Sequence, residues 1–175
     1  MRRLLTCLLA VGLAGPAASQ DFAGPPSRQR LLAAAREIMN AARYCTMVTN
    51  GPGTQPQARI IDAFSPDSQF VVWIATNPLT RKVAELKANP RVTLLYYHAP
   101  TYEYVTLQGT ATFSDAPADR AAHWKPDWAK LYKDEYRGAD YLLIKVVPSR
   151  LEIVSVARGI NNDTVTWRPT IVNLP

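Results

Sequence analysis

Between Tyr44 and Val156 short β-rich runs alternate with connections that are mostly too short for a parallel crossover. A parallel pair needs a dozen or more residues to return to its starting edge, whereas an antiparallel pair closes in a few. The runs are Tyr44 to Thr49, Gln57 to Phe64, Gln69 to Ala75, Arg91 to Tyr97, Tyr102 to Phe113, Tyr141 to Val147 and Leu151 to Val156. Turn residues such as NGPG, SPDS and Pro148-Ser149-Arg150 separate them. QFVVWIA is almost unbroken in apolar character, which predicts burial on both faces. Antiparallel sheets of this kind protect their edges by closing into a barrel. Gly109, inside YEYVTLQGTATF, predicts the bulge or bend that such closure needs. The expected fold is therefore mainly β, a small antiparallel barrel with peripheral α-helices.

Helical signals occur at three places. Ser27 can cap a helix through about Ala42, with Leu31, Ala35, Ile38, Met39 and Ala42 on one face. A second helix follows Thr80 and stops at Asn89-Pro90. The stretch Asp115 to Arg137 is helical in part, with Trp124, Trp128 and Leu131 at spacings of four and three. The tail from Ala157 to Pro175 shows little periodicity.

The N-terminal twenty residues have a different layout. Arg2 and Arg3 precede an apolar stretch from Leu4 to Ala14, then a Gly/Pro break and small residues. That order is the one a secretory signal peptide takes, with cleavage near Ser19. The expected organisation is a signal peptide at 1–19, a linker at 20–27, one domain at 28–157, and a tail at 158–175 packing on the barrel or on a partner subunit. The implied location is periplasmic or secreted. Removing Arg2 and Arg3 takes the formal charge from +6 to +4 and leaves Cys45 as the remaining cysteine, so no internal disulfide can form. Within a β-run, Cys45 reads as a small core residue rather than a nucleophile. The basic residues are spread along the chain rather than gathered with aromatics, which argues against nucleic acid as a partner.

Several standard chemistries are missing. The chain has no GxSxG elbow, no P-loop, no HExxH and no cysteine pair for zinc, so no metal site is expected. His98 and His123 stand alone in sequence. What remains is the start of the second helix, TNPLTRKVAEL, where Arg81 and Lys82 follow the cap. A helix N-terminus carries partial positive charge, so cations there are unfavourable unless an anion joins them. Two readings stand: a solvated charged pair, or a phosphate socket built from the amides after Thr80, its hydroxyl, Arg81 and Lys82. Arg59, a charge between apolar positions in RIIDAF, wants a partner and adds to the second reading.

The stretches QARIIDAF, FVVWIATNPLTRKVAELKANPRVTLLYY and YVTLQGTATFSD resemble the pyridoxamine 5′-phosphate oxidase-like FMN-binding split barrels. T-N-x-x-[ST]-R-K, then a helix and N-P-R-V, is the specific part. HWKPDWAKLY, YLLIKVVPSRLEIVS and TWRP are similar to the general-stress-protein subgroup. The resemblance spans about Leu31 to Val172 and implies an antiparallel split β-barrel that binds FMN between two subunits of a homodimer. It implies that Arg59, Arg81 and Lys82 hold the FMN phosphate, with a hydroxyl from Thr80. Ile60 and Ile61 would approach the flavin ring with their backbone. Trp73, Ile74, Ala75 and Thr76 would run along the cofactor, and Tyr104 would reach the ring. Trp167 is a candidate contact from the second subunit, or a residue that pins the tail to the barrel.

The departures bear on activity. The vitamin B6 oxidases carry a Lys five residues after the strand Arg, and this chain has Phe64 there. Their Arg-rich C-terminal substrate motif has no counterpart in the tail. The expected protein is an exported, FMN-dependent oxidoreductase of unknown substrate, with Phe64, Trp73 and Tyr104 making one face of the site aromatic and poor in charge. The alternatives are a non-enzymatic flavin- or haem-binding protein, with His98 as haem ligand, a deazaflavin in place of FMN, and a barrel that binds nothing.

Overall fold

Ser27 opens the first helix as a side-chain cap, its hydroxyl accepting the Arg30 amide at 3.3 Å. The computed structural model describes residues 25–51, 55–161 and 163–175. The signal-peptide expectation at 1–19 lies outside them, as do most of the linker and the second half of the NGPG turn. Helix α1 (Arg28–Ala42) buries Leu31, Ala34, Ala35, Ile38 and Met39, the stripe that a 3.6-residue period selects. No helix among the described residues is long and apolar enough to cross a membrane.

Among the described residues seven strands follow: β1 (Tyr44–Asn50), β2 (Pro56–Asp62), β3 (Val72–Thr76), β4 (Arg91–His98), β5 (Glu103–Ser114), β6 (Leu142–Val154) and β7 (Thr170–Asn173). Every pairing is antiparallel, in the order β2-β1-β4-β5-β6-β3, with β7 also on β6. The result is an open, curled sheet, the split form of a barrel. Alternate residues face a common interior, where Met47, Leu94, Leu107 and Ile153 are fully buried against α1. The other face carries rows that are half-buried at the centre of the sheet and exposed at its edges. One runs Ile60, Thr46, Leu95, Thr106, Glu152 and Ile171 across six strands.

Three expectations about elements change. The runs Tyr141–Val147 and Leu151–Val156 are one bent strand, β6, rather than two. Its first half pairs with β3 through Leu142–Val146 and its second half with β7 through Arg150–Ile153. Pro148, which lacks the amide that a regular ladder uses, sits at the register shift between Gln108 and Gly109. The seventh strand therefore comes from the tail, where no strand was expected. Leu131 is 65% exposed and does not join Trp124 and Trp128, because the stretch breaks into helix α3 (Pro117–Ala122) and short 3₁₀ turns.

Gly109 is the bulge that its position in the sequence predicts. A Cβ there would lie 2.3 Å from the Val147 carbonyl oxygen, a backbone atom that cannot rotate away. We expect Gly109→Ala to cost about 1–3 kcal/mol of stability, the range for forced overpacking. An unchanged urea midpoint would contradict this close approach of β5 and β6.

Candidate functional site

Helix α2 (Arg81–Ala88) follows β3 after the turn Asn77 to Thr80. Thr80 occupies the cap position, but no side chain caps the helix. Of the first-turn amides, that of Val83 is taken by the Thr80 carbonyl at 3.0 Å, which leaves those of Arg81 and Lys82 for another acceptor. The Thr80 hydroxyl donates instead to the Asn77 carbonyl at 2.9 Å and lies 3.1 Å from the Thr76 hydroxyl. The Lys82 ammonium donates to both hydroxyls, at 2.9 Å to Thr76 and 3.3 Å to Thr80. Burial lowers the affinity of Lys82 for its proton, and the nearby charge of Arg59 lowers it further, against an opposing pull from Glu85.

One turn into α2, Glu85 is buried at 2% exposure. Its carboxylate accepts from Arg59 at 2.6 Å and from the Thr49 hydroxyl at 2.5 Å, and pairs with Arg81 at 2.9 Å. Arg59 also donates to the Thr49 hydroxyl at 2.5 Å and the Gln57 carbonyl at 3.0 Å. Burial alone would push the Glu85 carboxyl up. The Thr49 and Arg59 hydrogen bonds and the charges of Arg59 and Arg81 outweigh it and hold the group below the ordinary carboxylate range. Part of the anion that the helix start calls for is thus internal. Three cations still face one carboxylate, which leaves two positive charges beside an uncapped helix start.

Five of the expected site residues therefore converge: Arg59, Thr76, Thr80, Arg81 and Lys82. Glu85 and Thr49 complete the cluster and were missed. The Arg81–Glu85 spacing of four was legible as a helical ion pair, whereas Thr49 reaches the cluster only through the fold.

The others stand elsewhere. Ile60 is 69% exposed on the outer face of the sheet, while Ile61 packs against the core. Ile74 is buried in the core, and Trp73 and Ala75 are on the opposite face of β3 from Thr76, as strand alternation requires. Trp73 is stacked on His123 with ring centroids 4.4 Å apart. Tyr104 lies on the outer face, opposite Tyr97 and Val154. Trp167 is 76% exposed, held in a turn whose Asp163 carboxylate accepts the Val165 and Thr166 amides. Among the described residues no hydrogen bond or ion pair joins Tyr104 or Trp167 to the cation cluster.

Phe64 and Trp73 do share an aromatic wall, with Trp124, Trp128, Tyr132, Tyr136 and Tyr141. The expectation that this wall is poor in charge is corrected, since Lys125 stands 4.9 Å over the Phe64 ring and Lys145 5.3 Å over Trp73. Tyr104 is not part of it. His98 donates to or accepts from the Thr101 hydroxyl at 2.7 Å and belongs to a chain that runs through Thr101 to buried Glu103.

A family model described as pyridoxamine 5′-phosphate oxidase matches residues 31–155. No curated protein matches the chain. Among solved structures, a Clostridium acetobutylicum protein related to general stress protein 26 is similar at a TM-score of 0.70 and 17% identity, covering 84% of this chain and 96% of that one. General stress protein 26 from Bacillus anthracis gives 0.62 at 17% identity, over 79% of this chain and 98% of that one. A pyridoxamine 5′-phosphate oxidase-related, FMN-binding protein from Nostoc punctiforme gives 0.61 at 16% identity, over 86% and 97%. At these identities the likeness is one of fold.

Proposed function

The chain belongs to the pyridoxamine 5′-phosphate oxidase family, and from that premise we propose that it is an exported, FMN-binding protein that acts as a flavin-dependent oxidoreductase. The observation that carries the proposal is the surplus of two positive charges at the uncapped start of α2. A phosphate monoester carries about −1.5 to −2 at neutral pH, so the FMN phosphate matches the residues present in sign and in size of charge. Arg81, Lys82 and the first amides of α2 would hold it, with Arg59 and Thr80 behind them. The flavin ring would supply the redox chemistry. The chain's part is to bind, to orient and to exclude water along β2 and β3. With Phe64 in place of the Lys of the vitamin B6 oxidases, the proposed substrate is not pyridoxamine 5′-phosphate.

The homodimer is part of the same proposal. The outer sheet face presents Ile60 at 69%, Tyr97 at 49% and Ile171 at 43% exposure, apolar side chains set among Thr46, Thr106 and Glu152 that a second copy can cover. Tyr104 on that face and Trp167 in the tail would then reach a cofactor held across the interface. Export rests on the layout of residues 1–19.

Purification of the mature chain with added FMN, followed by gel filtration, tests the proposal. A two-banded flavin spectrum that co-elutes with protein at twice the monomer mass is the expected result. Protein free of flavin, or flavin on a monomer, would overturn the cofactor or the dimer respectively.

A further inference from the structure

A cavity of about 450 Å³ lies where the end of α1 meets the end of β2 and residues 123–125. That size falls within the roughly 300–1,000 Å³ of small-molecule clefts. Its inner wall is Met39 and Tyr96, both fully buried, and its outer wall includes Phe64 and His123, whose rings meet edge to face at 5.1 Å.

Two features mark it as more than a packing gap. Tyr96 is 2% exposed, and its hydroxyl has no hydrogen-bond partner among the described residues. Leaving such a group unpaired is unfavourable, and the cost falls away when a ligand supplies the partner. Its cross-strand neighbour Cys45 offers little, since burial pushes that thiol up to about 12 and keeps it a weak, neutral donor.

The second feature is charge. Arg43 and Lys125 both line the cavity, and Asp62 is the carboxylate beside them. Lys125 donates to Asp62 at 2.8 Å and to the Ala63 carbonyl at 3.2 Å. Arg43 pairs with no carboxylate among the described residues, and its guanidinium rests 5.1 Å over the Tyr44 ring. Two cations against one carboxylate leave a single positive charge, beside an aromatic wall.

We propose that this cavity binds a small organic carboxylate, its apolar body against Phe64 and its carboxylate between Arg43, Lys125 and the Tyr96 hydroxyl. Arg59, Arg81 and Lys82 do not line this cavity, so the proposal does not rest on the phosphate cluster, although Phe64 is shared with the aromatic face of the proposed flavin site. A cation is disfavoured by the surplus charge, and a phosphate dianion would exceed it.

Calorimetric titration of the flavin-free protein with benzoate and hexanoate, with benzamide as the neutral counterpart of benzoate, tests the site. At least one carboxylate should bind at one site per chain, with benzamide at least tenfold weaker than benzoate where benzoate is the one that binds. Tyr96→Phe should weaken that binding at least tenfold while the thermal midpoint stays level or rises, because among the described residues the hydroxyl it removes has at most the weak Cys45 thiol as neighbour. Lys125→Met should weaken it by a similar factor and gives a second reading where the Tyr96 variant does not fold. No saturable binding of either acid, equal binding of benzamide, or wild-type affinity in a folded variant at either position would overturn the proposal.

Discussion

Replacing Glu85 with alanine is expected to lower stability by about 3–5 kcal/mol, the cost of stranding a buried charge after its partner is removed. The side chain of Arg59 is 18% exposed and directs one amino group at Glu85. Without that carboxylate, Arg59 keeps only the Thr49 hydroxyl and the Gln57 carbonyl, neither of which is charged. For a domain of this length each kcal/mol is worth roughly 2–4 °C in Tm, so a drop of about 6–20 °C should appear. The pair itself is not a large net asset. Replacing Arg59 with Met together with Glu85 with Leu should recover most of the loss, because a buried ion pair and its apolar substitute are often near equal. A single variant that loses under about 1 kcal/mol would contradict the burial of this charge.

The same carboxylate gives the fold an acid limit. Glu85 titrates below its ordinary value of 4.5 in the folded state, and so does Glu103, where hydrogen bonds from Ser155, Thr101 and Arg158 outweigh burial. A depressed carboxylate stabilises fully above the unfolded value and loses that contribution as pH falls through the folded one. Wild-type stability should therefore fall steeply below about pH 4.5. In Glu85→Ala the fall should be shallower.

Arg81, one turn away from Glu85, should behave in the opposite way. Its side chain is 67% exposed and its bond to Glu85 is an i, i+4 helical pair, so Arg81→Ala should change stability by no more than about 0.5 kcal/mol. On the flavin proposal, however, it removes a charge-assisted contact to the phosphate worth about 1.5–3 kcal/mol, or roughly 10- to 100-fold in Kd for FMN. Quenching of flavin fluorescence measures this directly. A folded Arg81→Ala that holds FMN as tightly as the parent chain would sink the assignment of the phosphate to α2. The two substitutions separate what the cluster does for the fold from what it does for a ligand.

Much of this architecture is legible in the sequence because it follows from local periodicity and end signals. The Ser27 cap, the buried stripe of α1, the start of α2 after Thr80 and the bulge at Gly109 are all of that kind. Pro148 misleads because a proline in a strand ordinarily marks an end, and here it occupies a bulge that bends β6 between two partners. β7 is four residues long and takes its stability from pairing with β6, so its own sequence carries almost no signal. Within the site, the cations announce themselves as charges in awkward places. Their partners do not: Thr49 is thirty-six residues from Glu85, and Lys125 is sixty-three from Asp62. A hydroxyl or a lysine in a loop is unremarkable until the fold sets it beside a buried acid. The orientation of Trp73 shows the same limit, since strand alternation separates it from Thr76 but cannot say that His123 will cover it.

The central claim is that the cations at the start of α2 form a socket for the FMN phosphate. Parallel titrations of the mature chain with FMN and with riboflavin, which differ only in that phosphate, test it most directly. The account predicts that FMN binds at least about 100-fold more tightly, as two or more charge-assisted hydrogen bonds require, and that high salt narrows the gap. Equal affinities for the two flavins, or no binding of either, would contradict it.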